Sequence, residues 1–316
     1  VCGRNWPGAV GQPRSRRCSA PASGNAGRSW HALPDVFGRS GPAGLASSPA
    51  QQSDGADAMT RVDVNGLFLR WDESGSGQPL VLVHGFNADR RQFDCFRPHL
   101  GEGIRAIACD QRDSPDSPFD GPYSMADHAD DVAQVIAHLC NGAAHVFGTS
   151  YGGAVAMTLA IRHPGRVKTL TLGATAPCFD QFKAPDMAVV AGQGPEAARR
   201  FMLEHFFTPD AIDHDPVLMQ AARDSFCERA PESGARRMAA MKAHDVRERL
   251  GDIRAPTLVL QGEFDPVISL DTARRLAGAI PGARFAILPG VRHAVSMERA
   301  AHVAQVVREH ILAHAF

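Results

Sequence analysis

The sequence lacks long hydrophobic runs and an excess of charge of either sign. No uninterrupted apolar run approaches the length of about 18 residues that a helix needs to cross a bilayer. The formal net charge is -1, so the chain as a whole has no strong field to attract nucleic acid or an anionic membrane surface. With 44% apolar and 21% charged residues, the composition is typical of an ordinary globular protein. We therefore expect neither a nucleic-acid partner nor membrane attachment.

Closely paired cysteines are also absent, which excludes the usual disulfide and zinc patterns. A disulfide framework is read from an even set at short spacings, and a structural zinc site needs closely spaced Cys or His ligands. The seven cysteines here form an odd, scattered set: Cys2, Cys18, Cys95, Cys109, Cys140, Cys178 and Cys227. They are predicted to be free thiols in a reducing compartment, so we expect a cytoplasmic protein with no metal.

Residues 1–58 lack both lysine and any hydrophobic periodicity, and Gly, Pro, Ser and Ala dominate them. Such a composition predicts a disordered N-terminal extension. The segment has no apolar stretch of the length, about 7 to 15 residues, that a secretory signal requires. The chain begins with Val1, whereas Met59 stands just before the first ordered pattern. Our hypothesis is that Met59 is the natural start and that the preceding residues are an upstream extension.

Strand and helix patterns alternate from about residue 61 onwards. Asn65 and Gly66 predict a tight hairpin within 61–71, because both residues tolerate positive φ. Ser124 and Asp127 resemble the capping residues of a helix start. Further strands are predicted at 80–83, 104–109, 145–147, 168–172, 257–261 and 284–288, and further helices at 151–162, 270–279 and about 297–313. This alternation predicts an α/β fold with a doubly wound, mostly parallel sheet.

The alternation breaks between residues 177 and 249, where no strand pattern is found. The segment is helical in composition and carries many Met, Phe, Ala and Arg residues. We interpret it as a helical cap inserted into an α/β core formed by 59–176 and 250–316. Met and Phe side chains that face a cleft would suit a small or medium apolar substrate.

A candidate nucleophile lies in the pattern Gly-x-Ser-x-Gly, formed by Gly148, Ser150 and Gly152. The pattern stands between a predicted strand and a predicted helix. A serine on such a sharp turn is held in a strained backbone, and the flanking glycines allow neighbouring chain to approach closely. The hydroxyl would then be presented at the carboxyl edge of the sheet, where open α/β folds bind ligands.

A serine hydroxyl needs a base within hydrogen-bond reach and a carboxylate that orients this base. Asp265 follows the predicted strand at 257–261, and His293 follows the predicted strand at 284–288. Both loops would open at the same sheet edge as Ser150. We therefore predict Ser150 as nucleophile, His293 as general base and Asp265 as the orienting acid. Asp180, after the strand that precedes the cap, is the reserve candidate for the acid.

With these motifs in the order Ser, Asp, His, the chain resembles the α/β-hydrolase superfamily. The resemblance covers about residue 61 to the C-terminus, and it rests on LVLVHGF at 80–86, GTSYGG around Ser150, LVLQGEFDPV around Asp265 and GVRH at 290–293. It implies an eight-stranded sheet, a reaction without cofactor, and an oxyanion hole formed by the backbone N–H groups of Phe86 and Tyr151.

Two departures from the superfamily pattern concern the walls of the site. Many relatives carry Asp-x-Arg-Gly-x-Gly-x-Ser where this chain has DQRDSPDS at 110–117, so two permissive glycines are replaced. Arg292 stands before the histidine, where relatives often have glycine, and we expect it to point to solvent. The substrate pocket is assigned to His84, Gly85 and Phe206, with a structural role for His84.

These observations predict a serine hydrolase that cleaves a small to medium carboxylic ester or lactone through an acyl-enzyme, as a monomer or homodimer. Three alternatives stay open on the same fold. The same residues serve carbon–carbon bond hydrolases of dienone-type aromatic breakdown products, and they serve cofactor-free perhydrolases. Some capped relatives are instead small-molecule receptors with little turnover.

Overall fold

The computed structural model describes residues 61–180, 195–227 and 229–314. The predicted extension 1–58, with the hypothesis about Met59, lies outside these residues, as does part of the predicted cap. All five cysteines in the described part of the chain are free thiols. Within the same part, no helix is both long enough and apolar enough to span a bilayer.

A single eight-stranded sheet forms the centre of the fold, with the strands in the order β1-β2-β4-β3-β5-β6-β7-β8. The strands are β1 (Arg61–Val64), β2 (Leu67–Gly75), β3 (Gly77–Val83), β4 (Gly103–Cys109), β5 (Ala144–Thr149), β6 (Val167–Gly173), β7 (Thr257–Gly262) and β8 (Arg284–Leu288). Strand β2 is antiparallel to β1 and β4, and all other neighbours are parallel. The predicted doubly wound, mostly parallel sheet is confirmed.

The hairpin between β1 and β2 turns at the predicted dipeptide. Asn65 and Gly66 have φ values of 58° and 84°, and the Gly66 N–H donates to Asp63 Oδ1 at 2.7 Å. These left-handed angles are accessible to Asn and Gly at little steric cost, which explains why the chain reverses here.

Nine α-helices lie in the described residues: α1 (Met125–Leu139), α2 (Tyr151–Arg162), α3 (Pro195–Phe206), α4 (Pro209–His214), α5 (Pro216–Ser225), α6 (Pro231–Lys242), α7 (Leu270–Ala279), α8 (Val295–Glu298) and α9 (Ala300–Leu312). Helix α1 begins with the predicted capping box, in which Ser124 and Asp127 each satisfy a backbone N–H of the other. The chain 297–313, predicted as one helix, is interrupted at Arg299, which has φ -131° and ψ 45°.

Apolar side chains cover the sheet on both faces. Helices α1, α2 and α7 contribute to one core cluster, which includes Val81, Val146 and Leu172 from the central strands. Helix α9 packs on the opposite face, where Leu82 and Phe147 are fully buried. Burial on both faces explains why the sequences of the central strands are continuous apolar runs, as is typical of buried parallel strands.

Helices α3 to α6 occupy the described part of the segment predicted as a cap. Each of them begins with proline, whose fixed φ and missing N–H suit the first turn of a helix. The two ends of the segment meet, because the Val246 N–H donates to the Pro177 carbonyl at 2.9 Å. A separate small core, including Leu203, Phe207 and Met297, joins these helices to α8.

Candidate active site

Ser150 occupies a strained turn between β5 and α2. Its φ of 52° and ψ of -117° lie in a region that L-residues rarely adopt, at a cost of about 1 to 3 kcal/mol. Two hydrogen bonds hold this conformation: the Ser150 N–H donates to the Gly173 carbonyl at 2.8 Å, and Thr175 Oγ1 donates to the Ser150 carbonyl at 2.7 Å. The side chain is thereby directed out of the sheet at its carboxyl edge.

The flanking glycines are required by close backbone contacts. A Cβ atom on Gly148 would lie 2.2 Å from the Gly152 carbonyl oxygen, and one on Gly152 would lie 2.1 Å from the Val83 carbonyl oxygen. Both contacts are far below any van der Waals separation and involve backbone atoms, which have little freedom to move. Gly148 is therefore required by the packing of β5 against the start of α2, and Gly152 by the packing of β3 against the turn.

The side chains of Ser150, His293 and Asp265 form a continuous hydrogen-bonded chain. His293 Nε2 lies 3.0 Å from Ser150 Oγ, and His293 Nδ1 lies 2.8 Å from Asp265 Oδ2. The Asp265 side chain is fully buried and the His293 side chain is 7% exposed. A carboxylate at Nδ1 favours the tautomer that carries its proton on Nδ1, which leaves Nε2 free to accept the hydroxyl proton.

The loop after β7 fixes the orientation of Asp265. Its Oδ1 accepts the backbone N–H groups of Val267, at 2.7 Å, and Ile268, at 3.0 Å. Gln261 Nε2 donates to Oδ2 at 2.8 Å. The reserve candidate Asp180 is instead in an exposed ion pair with Arg247, at 3.0 Å.

The loop that carries His293 is hydrogen-bonded to the segment predicted as a cap. Arg292, expected to point to solvent, donates through Nη1 to the Glu204 carbonyl in the last turn of α3. That carbonyl belongs to a helix end and lacks a partner within the helix, so it offers an acceptor that the sequence pattern does not reveal. Glu298 accepts both the Arg292 N–H, at 3.0 Å, and the Thr208 N–H, at 2.8 Å.

A mostly apolar cavity of about 130 Å³ opens at Ser150 and His293. The apolar lining comes from both the core and the segment predicted as a cap: Phe86, Leu203, Phe206, Phe207, Phe226 and Met297. The Phe206 ring lies 5.9 Å from the His293 ring, measured between centroids. No aspartate or glutamate is found among the described residues that line the cavity.

The residues expected around the pocket divide into two groups. Gly85 and Phe206 line the cavity. His84 does not; its ring is fully buried behind Gly85, where Nδ1 donates to the Gly85 carbonyl at 2.9 Å and Nε2 accepts the Gln111 N–H at 3.1 Å. Tyr151 is the first residue of α2, so its N–H has no carbonyl partner within the helix.

Gln92 is a site residue that the sequence reasoning missed. It lines the cavity and is nearly buried, and its Oε1 accepts the Gly85 N–H at 2.8 Å. Its Nε2 donates to Thr149 Oγ1 at 2.7 Å and to Ser296 Oγ at 3.1 Å. The Gln92 amide thus connects three segments: one that precedes Phe86, one that precedes Ser150 and one that follows His293.

In the loop at 110–117, a residue other than glycine adopts the left-handed backbone conformation. Asp113 stands where relatives often have the first glycine, and its φ is 63°. Asp is one of the few residues besides Gly and Asn that tolerate this region. Its carboxylate accepts two hydrogen bonds from Arg236, each at 2.9 Å, and one from Tyr123 Oη at 2.9 Å. These contacts hold the Asp113 side chain in place.

Comparison with known families yields one match that spans most of the sheet. The profile of the family described as serine aminopeptidase, S33, matches residues 76–300. This range includes every residue of the hydrogen-bonded chain at Ser150.

Among known proteins, three similarities are informative. The chain is 32% identical, over 71% of its length and 88% of the relative, to RutD of Variovorax paradoxus (strain S110), a provisionally named carbamate hydrolase. It is 27% identical, over 73% of its length and 92% of the relative, to the pimeloyl-[acyl-carrier protein] methyl ester esterase of Neisseria meningitidis serogroup B. The crystal structure of the enol-lactonase from Burkholderia xenovorans LB400 superposes with a TM-score of 0.70 at 27% identity, covering 80% of this chain and 99% of that one.

Proposed function

The chain belongs to the serine aminopeptidase S33 family of α/β-hydrolases, and from this we propose that it hydrolyses a small to medium carboxylic ester or lactone through an acyl-enzyme on Ser150. The observation that carries the proposal is the hydrogen-bonded chain from Asp265 through His293 to Ser150, located at the mouth of an apolar cavity. An unassisted serine hydroxyl is a weak nucleophile, and this arrangement supplies the base and the orienting group that it needs.

In the proposed reaction, Ser150 Oγ attacks the carbonyl carbon while its proton passes to His293 Nε2. The tetrahedral intermediate then expels the alkoxide, which takes the proton from His293 and leaves as the alcohol. A water molecule attacks the acyl-enzyme in the same way, with His293 again accepting and returning the proton. Asp265 stays ionised and stabilises the transient imidazolium.

We assign the oxyanion hole to the backbone N–H groups of Phe86 and Tyr151. The Tyr151 N–H is at the N-terminus of α2, where the helix dipole adds a partial positive charge. Fixed donors at such a position stabilise the developing oxyanion without reorganisation, and the loss of one typically lowers the rate about 10² to 10³-fold.

The lining of the cavity favours an uncharged acyl group over a free peptide N-terminus. An aminopeptidase must bind a protonated amine, and a buried charge of this kind needs a paired carboxylate. The described lining residues offer none, whereas Phe and Met side chains suit an apolar acyl chain. The methyl ester esterase and the enol-lactonase among the similar proteins support the same substrate class.

The test is the variant Ser150→Ala, assayed with p-nitrophenyl esters of graded chain length. If the three residues act as a unit, kcat should fall by about 10⁶-fold, leaving only the contribution of binding and the oxyanion hole. Ser124→Ala, which removes the N-cap of helix α1 and does not affect a residue that lines the cavity, is the matched control and should retain activity. Nearly unchanged turnover by Ser150→Ala would refute the proposal.

Two further measurements separate the alternatives. A fluorophosphonate probe should modify Ser150 in the native protein, as shown by mass spectrometry of the labelled peptide, whereas a receptor with a misaligned triad should react slowly. A panel of esters, lactones and dienones distinguishes ester hydrolysis from carbon–carbon cleavage. A kcat/KM higher for dienones than for every ester would replace our substrate assignment and leave the roles of Ser150 and His293 intact.

A further inference from the structure

We propose that Arg237, on helix α6, is a positioning residue for the oxyanion hole and acts through Gln111 and His84. The inference rests on the proposed function, because the group that it positions is the Phe86 N–H. It assigns a role to a side chain that does not line the cavity and belongs to the segment predicted as a cap.

The peptide group between His84 and Gly85 is held at both ends. Its carbonyl accepts a hydrogen bond from Gln111 Nε2 at 2.7 Å, and its N–H donates to Gln92 Oε1 at 2.8 Å. Because both polar atoms of one peptide plane are fixed, the plane cannot rotate without breaking a buried hydrogen bond.

The next peptide group, between Gly85 and Phe86, carries the N–H that we assign to the oxyanion hole. Its carbonyl accepts His84 Nδ1 at 2.9 Å, and the Gln111 backbone N–H donates to His84 Nε2 at 3.1 Å. In a trans peptide the C=O and N–H point in opposite directions, so a carbonyl that is held on one side directs the Phe86 N–H to the other. The orientation of the donor thus depends on His84 and Gln111.

Arg237 fixes the orientation of the Gln111 side chain. Its Nη2 donates to Gln111 Oε1 at 2.9 Å, so Gln111 Nε2 is directed to the His84 carbonyl. A flipped Gln111 amide would place its oxygen against that carbonyl oxygen and its NH₂ group against the guanidinium. The arginine therefore selects the amide orientation that holds the His84–Gly85 peptide.

The surroundings of Arg237 are unusual for a group whose role is stability alone. The side chain is fully buried, and its guanidinium lies over the rings of Tyr151 and Phe86, 4.4 Å and 5.6 Å from the centroids. Among the described residues its Nε and Nη1 have no hydrogen-bond partner, and its Nη2 donates to the Gln111 amide rather than to a carboxylate. Burial of a cation in this way costs free energy. The two residues beneath it are the two that we assign to the oxyanion hole.

The protonation state of His84 agrees with this network. Burial, and then the positive charge of Arg237, hold the pKa of His84 well below its ordinary value. The ring is therefore neutral, which allows Nε2 to accept the Gln111 N–H while Nδ1 donates to the Gly85 carbonyl.

The experiment compares Arg237→Met with Arg236→Met in the full chain. Arg236 precedes Arg237 on α6 and contacts Asp113 and Phe119 but not Gln111 or His84. We expect Arg237→Met to lower kcat about tenfold or more, since complete loss of an oxyanion donor typically costs about 10² to 10³-fold. KM should stay within about twofold, because the interaction acts in the transition state. Affinity for a trifluoromethyl ketone, whose adduct places an oxyanion in the hole, should fall by the same factor as kcat.

Gln111→Met keeps the side-chain volume and removes both amide contacts, so it should lower kcat as Arg237→Met does. In the double variant, Arg237→Met should lower kcat little further, because the contact that it removes is already absent. If Arg237→Met does not fold, Gln111→Met decides the matter. Folded variants with the kcat of Arg236→Met would overturn the proposal.

¹⁵N NMR of the His84 ring in the wild-type protein is an independent test. His84 should be neutral with its proton on Nδ1 at pH 7, and an Nε2–H tautomer would refute the network. If Ser150→Ala loses kcat while Arg237→Met keeps the wild-type kcat, only this inference is refuted and the proposed function is unaffected.

Discussion

Asp265 presents one carboxylate oxygen to His293 and the other to its own loop. Oδ2 lies 2.8 Å from His293 Nδ1, while Oδ1 accepts the N–H groups of Val267 and Ile268. The two oxygens therefore have fixed and different partners. This division determines what an amide would do at the same position.

The variant Asp265→Asn should lower kcat by about 10⁴-fold. The loop N–H groups require an acceptor, so the amide oxygen takes the place of Oδ1 and the NH₂ group faces His293. An NH₂ donor at Nδ1 would force the ring proton onto Nε2, where it can no longer accept the Ser150 proton. Steady-state kinetics with a p-nitrophenyl ester measures the loss.

The control for this variant is Glu263→Gln, two residues away. Glu263 is exposed, and its Oε2 accepts a hydrogen bond from the Gly290 N–H at 3.0 Å. The amide oxygen of a glutamine can accept the same hydrogen bond. This variant should keep wild-type kcat. An Asp265→Asn protein with activity close to that of Glu263→Gln would contradict the assigned role of Asp265.

A second prediction concerns the turn at Ser150. Gly152→Ala should lower the free energy of unfolding by at least about 2 kcal/mol, because the new Cβ would lie 2.1 Å from the Val83 carbonyl oxygen and the backbone must shift. Gly278→Ala, in helix α7 with open space around its Cβ position, should be neutral or slightly stabilising. Urea denaturation of the two variants checks the contrast, and equal stabilities would argue against the close approach of β3.

The residues assigned to the reaction were accessible from the sequence for a physical reason. Ser150, Asp265 and His293 each follow a strand, and the carboxyl ends of parallel strands meet at one edge, so local motifs and chain order predict that they approach each other. The distances agree with that expectation, while the catalytic roles stay a proposal.

Other contacts had no local signature in the sequence. Gln92 and Thr149 are 57 residues apart, and Arg237 and Gln111 are 126 apart, so neither pair leaves a periodic pattern. The break at Arg299 was missed for a related reason. The residues around it favour helix, and the interruption accompanies hydrogen bonds that the Glu298 carboxylate accepts from the backbone N–H groups of Thr208 and Arg292.

A third prediction concerns pH. Burial, followed by the charge of Arg237, holds the pKa of His128 well below the ordinary value of 6.5. The native ring stays neutral where the unfolded chain, with a pKa of about 6.5, binds a proton. The stability contributed by His128 is therefore fully present above about pH 6.5 and is lost progressively as the pH falls below it.

The measurement is the free energy of unfolding between pH 7.5 and about 5 for wild type and His128→Phe. Phenylalanine cannot titrate, and both nitrogens of the His128 ring lack hydrogen-bond partners among the described residues, so the change removes no such bond. The slope against pH should become shallower by up to about 1.4 kcal/mol per pH unit. A slope equal to that of the wild type would show that His128 does not contribute.

The last prediction concerns the selection of substrates. Phe206 lines the cavity beside the His293 ring, at 5.9 Å between centroids, and its truncation to Ala should lengthen the space available to an acyl chain. Because each buried methylene contributes about 0.8 kcal/mol, two or more additional buried methylenes should raise the ratio of kcat/KM for hexanoyl over acetyl esters by about tenfold. Phe264→Ala removes an exposed ring near the same edge of the sheet and should leave the ratio unchanged. An unchanged ratio in Phe206→Ala would place the acyl chain elsewhere, since a side chain that contacts the acyl group cannot be shortened without altering the preference for its length.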